Sequence, residues 1–526
     1  MAEKTLTITP TSEFELSQNE TKEYLKKIFE IQPSCITRTQ YDVNILKLPA
    51  EQLSEVKVCP PALMLWGPPG IGKSSIVRQA AIEAGISENN FSDIRLSTLE
   101  PVDLRGIPSV VSGRTVYNPP DFFPIGQNEI DEILEKYGVK TLDEAKEQAI
   151  RKANREKVEQ YILDRIEKAL KENRGVLLFD ELPSAQRDIQ IAAYEIILDR
   201  KIGKYTLPIG WSIVAAGNRP SEVSGVSGTS SYLPIPLANR MIHIGVKSET
   251  KDWQAWALDH GFDPTVISFG MEELESTTAT EQKRGYGPGE EPQVGVPAFL
   301  TPRSLEWLDY VVKQVDSGLI DTLDIIGSDV EKQKERDRII KSLYRGAVGI
   351  AEATKFNYFR AFTKYLLNGE EIYNHPDLAD KYFSILNKRE LSESDVKELA
   401  NIKAEASKAP NKNAIISDFV KNFSSSYDNY YKNSTLVRSY YPTMLLFTQY
   451  IHLFRQGKSN KDNFVAAGKA IIDNLSERDA RAMLTMLQGQ SLLLLKSEKG
   501  KSLELNASAS AWHQIIESAR KRKLER

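Results

Sequence analysis

Gly67-Pro68-Pro69-Gly70-Ile71-Gly72-Lys73-Ser74 fits the pattern G-x-x-x-x-G-K-[ST] of a phosphate-binding loop. The apolar run Ala62-Leu63-Met64-Leu65-Trp66 before it reads as a buried strand, and Ser75-Ile76-Val77-Arg78-Gln79-Ala80-Ala81 after it reads as a helix. Strand, glycine loop and helix start therefore coincide. The β- and γ-phosphates of a nucleotide need several backbone N–H groups aimed at one point, and glycines let the backbone come close. On this reading Gly67 through Ser75 cradle the nucleotide, Lys73 neutralises its β/γ oxygens, and the Ser74 hydroxyl holds Mg²⁺. An ordinary glycine turn between strand and helix is the plain alternative.

The rest of a nucleotide site is spelled out downstream. Gly175-Val176-Leu177-Leu178-Phe179-Asp180-Glu181 is an apolar run ending in two carboxylates, which predicts a buried strand delivering both to the C-terminal edge of a parallel sheet. Asp180 suits a Mg²⁺ contact, and Glu181 suits orienting and deprotonating an attacking water. A third strand, Trp211-Ser212-Ile213-Val214-Ala215-Ala216-Gly217, ends in Asn218, placed to hydrogen-bond that water or the γ-phosphate. Pro234-Ile235-Pro236-Leu237-Ala238-Asn239-Arg240 closes on an arginine, and Thr301-Pro302-Arg303 opens a helix with Thr301 as cap and Pro302 in its first turn.

This set, over residues 60 to 310, resembles the AAA+ ATPases and, within them, the MoxR-like group. The resemblance implies that Gly67 to Ser74 is Walker A, Asp180 and Glu181 are Walker B, and Asn218 is sensor 1. It further implies that Arg240 is the arginine finger given to a neighbouring subunit's nucleotide and that Arg303 is sensor 2. Asp180 to Arg187, with Gln190, Tyr194, Glu195 and Arg200, follows the group's layout of Walker B, helix, short hairpin and sensor-1 strand. The β-rich pieces around Ser112-Gly113, within 102–120, predict a hairpin that looks like the clade's helix-2 insert; a hairpin with no outside contacts is equally open. One departure stands out. The sensor-1 strand continues as Asn218-Arg219-Pro220 where many relatives have Asn-Pro, which adds a charge near the nucleotide or a subunit interface.

The expected fold is an α/β P-loop parallel sheet with a helical lid, followed by an all-α region. An N-terminal arm covers 1–18, the α/β core 19–250, the helical lid 251–400 with a flexible loop at 277–295, and a C-terminal helical domain 405–526. A charged insertion at 125–172 shows apolar positions at helical spacing (Ile130, Ile133, Leu134, Tyr137; Val158, Ile162, Ile166, Leu170) and a capping-box pattern at Thr141-Leu142-Asp143-Glu144. It reads as solvated helices, with a docking arm as the sharper alternative. The aromatics between Phe419 and Phe454 read as core, and Arg520-Lys521-Arg522-Lys523 as a solvated tail.

A net charge of −4 gives no basic excess for a nucleic-acid footprint. Cys35 and Cys59 lack metal spacing, and the five histidines are scattered, which argues against a zinc cluster or a hydrolytic triad. No long apolar span or signal-peptide pattern is present, so the expectation is a cytoplasmic protein without a membrane contact. The phosphate loop and the carboxylates at the sheet edge point to nucleotide hydrolysis with ATP and Mg²⁺ as cofactors, and the resemblance implies that it is coupled to remodelling or maturation of a protein partner. The resemblance implies a homo-oligomeric ring, a hexamer, and a client or partner with a von Willebrand factor A domain. Two rivals stay open: a nucleic-acid motor subunit of the same clade, and a nucleotide-gated assembly scaffold.

Overall fold

The structure, a computed structural model, describes residues 15–31, 36–37, 57–58, 61–111, 114–153, 160–219, 233–280, 300–318, 328–386, 388, 391–407, 410–433 and 466. The expected arm before residue 15, both cysteines, Val158, the stretch 281–295, the aromatics from Tyr440 onward and the basic tail lie outside them. The chain forms two compact units, residues 1–248 with 282–292, and residues 249–281 with 293–526.

In the first unit the strands are β1 Glu15–Ser17, β2 Ile36–Thr37, β3 Lys57–Val58, β4 Ala62–Trp66, β5 Phe91–Arg95, β6 Ile107–Val111, β7 Arg114–Asn118, β8 Arg174–Asp180, β9 Lys201–Ile202, β10 Tyr205–Thr206, β11 Gly210–Gly217 and β12 Met241–Lys247. Six of them make one parallel sheet in the order β1-β12-β4-β11-β8-β5. A parallel sheet needs both faces covered, and the strand sequences supply apolar residues to both. Leu63, Leu65, Val176, Leu178, Val214 and Ala216 face the helices Gln18–Glu30 and Lys73–Glu83. Met64, Leu177, Phe179, Ile213 and Ala215 face the helix Arg187–Asp199. The central β4 lies between β11 and β12, so the loop leaving it opens where strand order reverses, the place in such sheets where ligands bind.

The sequence places residues 15–18 in the arm, but they are structured. Glu15–Ser17 pairs with Gly245–Lys247, and Ser17 caps the helix Gln18–Glu30 in a reciprocal box with Glu20. The helices Gln127–Tyr137, Leu142–Ala153 and Gln160–Glu172 form the charged insertion and bury Ile130, Ile133, Tyr137, Ala145, Ala149, Ile166 and Ala169 in a small core of their own. Their apolar faces are thus turned on one another. At the predicted box, Thr141 Oγ1 accepts from Glu144 N, but the Glu144 carboxylate accepts from Lys140 N instead of the cap's own N–H. The predicted hairpin is present as β6 and β7, with Ile107, Val110 and Tyr117 exposed.

The second unit is helical: Thr250–Asp259, Pro264–Thr280, Pro302–Asp316, Asp329–Val348, Ile350–Thr363, Gly369–Asn374, Pro376–Leu386, Glu393–Ala406 and Lys412–Asn433. Residues 277–280, expected in the flexible loop, belong to its second helix. The break near 408–412 separates two helices, and one apolar core of described residues runs from Trp253 to Tyr430. That core holds residues on both sides of the expected boundary at 400–405, among them Leu399 and Phe419. The aromatic stripe is its packing: Phe362 lies parallel to Tyr430 with ring centroids 5.2 Å apart and also meets Phe423 and Tyr427. Phe362→Ala is expected to lower the stability of this unit by about 3–5 kcal/mol, the usual cost of deleting a buried ring; denaturant unfolding monitored by far-UV circular dichroism checks it.

Candidate functional site

The residues after β4 turn through Gly70 and Gly72, both in the left-handed region at φ 80° and 87°, and enter the helix Lys73–Glu83 at once. No side chain caps that helix, so its first N–H groups are left to another acceptor. Gly67 cannot be replaced without displacement, since a Cβ there would lie 2.7 Å from the Val246 carbonyl oxygen. Its N–H donates to Gly217 O at 3.3 Å, tying the loop to the end of β11.

Lys73 is buried and donates from Nζ to Gly67 O at 2.7 Å, Pro68 O at 3.0 Å and Asn218 Oδ1 at 2.8 Å. Ser74 Oγ donates to Asp180 Oδ2 at 2.6 Å, and Glu181 N donates to Asp180 Oδ1 at 2.9 Å. Lys73, Ser74, Asp180, Glu181 and Asn218 are therefore gathered from three sheet strands at one edge. The Ser74 hydroxyl and Asp180 carboxylate are a hard-oxygen pair that fits Mg²⁺, a cation usually held by one or two protein oxygens and the substrate's phosphates. Among the described residues no group of three or more His, Cys, Asp or Glu could hold a metal, and a magnesium–nucleotide site needs none.

Glu181 has φ 59° and ψ 29°, an uncommon conformation for a residue with a Cβ. It turns the chain off the strand into the short helix Leu182–Ser184, and its Oε2 accepts from Ser97 Oγ. Ser97 was not singled out in the sequence. The only signal was a hydroxyl two residues past the end of β5, at the sheet edge that carries Asp180. Asp93, on β5 in register with Leu178, sits above the usual aspartate pKa through burial and the neighbouring Asp180, against the pull of Arg78 and Arg95.

Ser75 is exposed on the helix that follows the loop. Arg240 is exposed as well, with its guanidinium 4.9 Å from the centre of the Tyr194 ring. The segment leading to it is tied to β4: Trp66 Nε1 donates to His243 Nδ1 at 2.7 Å, which leaves His243 Nε2 as the donor to Ala238 O at 2.7 Å. Arg303 lies in the second unit, exposed in the first turn of the helix Pro302–Asp316, whose predicted cap is present as Thr301 Oγ1 accepting from Ser304 N. Arg187 is exposed, while Arg200 is buried and donates to Pro208 O at 2.7 Å and Trp211 O at 2.5 Å. Burial brings the Arg200 pKa down to about 10, and the residue anchors the β9–β10 hairpin to the start of β11.

Residues 63–224 match the model of the ATPase family associated with various cellular activities (AAA). The matched span holds the phosphate loop, Asp180, Glu181 and Asn218, and stops before Arg240 and Arg303. It supports an AAA-type ATPase domain in the first unit. No curated protein matches the chain.

The raised pKa of Asp93 has a testable sign. A carboxyl whose folded pKa exceeds its unfolded one weakens the fold as pH rises through the folded value, and the penalty is absent below the unfolded value. Asp93→Asn is therefore expected to raise the thermal midpoint at pH 7 and to give no gain below the ordinary aspartate range. Melting curves of both proteins across that span check it.

Proposed function

We propose that this chain is a MoxR-like AAA+ ATPase that couples ATP hydrolysis to remodelling or maturation of a protein partner and works as a closed hexameric ring. The observation that carries the reading is the convergence of Lys73, Ser74, Asp180, Glu181 and Asn218 at the carboxyl edge of one parallel sheet. That set can bind a triphosphate, hold its cation and ready a water. No described helix is long and apolar enough to cross a membrane.

In this mechanism the Lys73 ammonium leaves its loop carbonyls for the β/γ-phosphate oxygens, while the loop's N–H groups and the uncapped helix start receive the remaining charge. Ser74 and Asp180 would hold Mg²⁺, which when bound would supply charge neutralisation for the phosphates. Glu181 takes a proton from the attacking water, and Asn218 orients that water or the γ-phosphate. Most of the acceleration comes from fixed charges and donors aimed at the transferring phosphoryl group. Arg240 acts in trans: it is exposed, and its stacking on Tyr194 limits the volume it samples. Arg303 serves as sensor 2 by the same family logic.

Lys73→Ala is expected to lose nucleotide affinity, whereas Glu181→Gln keeps affinity and loses at least about a hundredfold in turnover, the range of general-base loss. Equilibrium nucleotide binding and steady-state phosphate release separate the two. Equal turnover in Glu181→Gln and the unaltered chain removes Glu181 from the mechanism.

If Arg240 serves a neighbouring subunit, Arg240→Ala is nearly inactive alone but regains activity when mixed with Lys73→Ala, at interfaces that pair an intact loop with an intact finger. Phosphate release across mixing ratios, with assembly followed by light scattering, reads this out. Normal activity of Arg240→Ala alone places the finger elsewhere.

A further inference from the structure

The arginine that follows Asn218 has a partner across the sheet. Arg219 Nη1 lies 2.7 Å from Glu15 Oε1, with the two side chains only 17% and 19% exposed. The guanidinium lies against Gly245 of β12, where an added Cβ would sit 2.6 Å from Arg219 Nη2 and 2.9 Å from Glu15 Cγ. A Cβ there would force the Arg219 guanidinium and the Glu15 side chain to shift. Gly245 is in register with Glu15 on one side and with Trp66, the last residue before the phosphate loop, on the other. The ion pair therefore closes over the strand ends beside that loop.

The same short segment reaches the loop directly. Three residues after Glu15, Gln18 Nε2 donates to Ile71 O at 2.7 Å. Residues 15–18 thus touch both halves of the site: the phosphate loop through Gln18, and the exit of β11 through Glu15 and Arg219. Asn218 sits between Gly217, which accepts from Gly67 N, and Arg219, which is held by Glu15. A largely buried ion pair resists displacement more than a solvated one, because the surrounding dielectric is lower.

We propose that Glu15 and Arg219 are a positioning pair for nucleotide turnover, whose ion pair fixes the exit of β11, and with it Asn218, against the phosphate loop. The proposal rests on the reading of the site as an ATPase. It gives a purpose to the Asn-Arg-Pro departure noted in the sequence and to the three-residue edge strand β1.

The test uses the full chain with Arg219→Ala, Glu15→Ala, the double variant and Arg219→Lys. Turnover at saturating ATP is expected to fall about tenfold in each single alanine variant, a typical response to a displaced positioning group. Nucleotide affinity stays within about twofold, because the contact matters in the transition state. The double variant falls no further than the singles, since both remove one interaction, and Arg219→Lys recovers most of the rate. Unchanged turnover, additive losses, or a parallel loss of affinity and turnover overturns the proposal. Should an alanine variant fail to fold, Glu15→Gln carries the same test with side-chain volume kept. Failure of the ATPase reading is seen separately, as no hydrolysis by the unaltered chain. Amide hydrogen exchange then decides the pair without nucleotide: faster exchange confined to residues 67–72 and 217–219 in Arg219→Ala upholds it, and unchanged exchange there overturns it.

Discussion

The Lys73 ammonium is the knot on which the first unit's site depends. A buried cation has to be met by oxygens, and Lys73 meets two carbonyls of its own loop and the amide of Asn218. Those contacts bind β4 to β11, and the neighbouring Ser74 hydroxyl binds the same helix start to β8 through Asp180. Three strands far apart in sequence are thereby held at one edge before any ligand is considered. Since backbone carbonyls and a neutral amide are weaker partners than phosphate oxygens, the same arrangement can yield to a triphosphate without leaving the ammonium unpaired.

Around this knot, glycine sets how closely the chain can pack. Gly67 permits contact with the Val246 carbonyl, and Gly245 permits the Arg219 guanidinium to reach Glu15. The sheet is thus laced at its carboxyl edge from β11 to β1. The insertion is fastened further along the same sheet: Ile125 N donates to Glu172 Oε2 at 2.9 Å, and Trp211 Nε1 donates to Glu172 O at 2.6 Å. Its two ends are thereby joined to each other and to the first residues of β11. With its own core of Ile130, Ile133 and Ile166 it is a folded elaboration, and its charged residues form the solvated faces.

The second unit obeys a different constraint. Its helices are joined by one aromatic core, and two buried glutamates are met by lysines: Lys403 Nζ lies 2.7 Å from Glu371 Oε2, and Lys355 Nζ lies 2.9 Å from Glu273 Oε2. Such pairs help fix which helices meet, since the glutamate alone would be a buried uncompensated charge. Arg360 adds a third tie, from Tyr344 OH to Asp316.

The sequence alone determined the strand, glycine loop and helix start around Gly67 to Ser74, the apolar strands that end at Asp180-Glu181 and at Asn218, and the cap at Thr301, because local rules suffice for these. A loop spacing, an apolar period and a capping hydroxyl are properties of neighbouring residues, so Gly67 to Ser74, β4, β8 and the Thr301 cap were legible. Contacts between distant segments were not. Ser97 meets Glu181 across 84 positions, and Gln18 meets Ile71 across 53. The order β1-β12-β4-β11 that brings Glu15 to Arg219, and the single core that joins Trp253 to Tyr430, come from packing between elements and carry no local signature. That is why residues 15–18 read as an arm and why the packing of Phe419, Phe423 and Tyr430 against the earlier helices had no local sign: tertiary burial, which no short window of sequence contains, decided both.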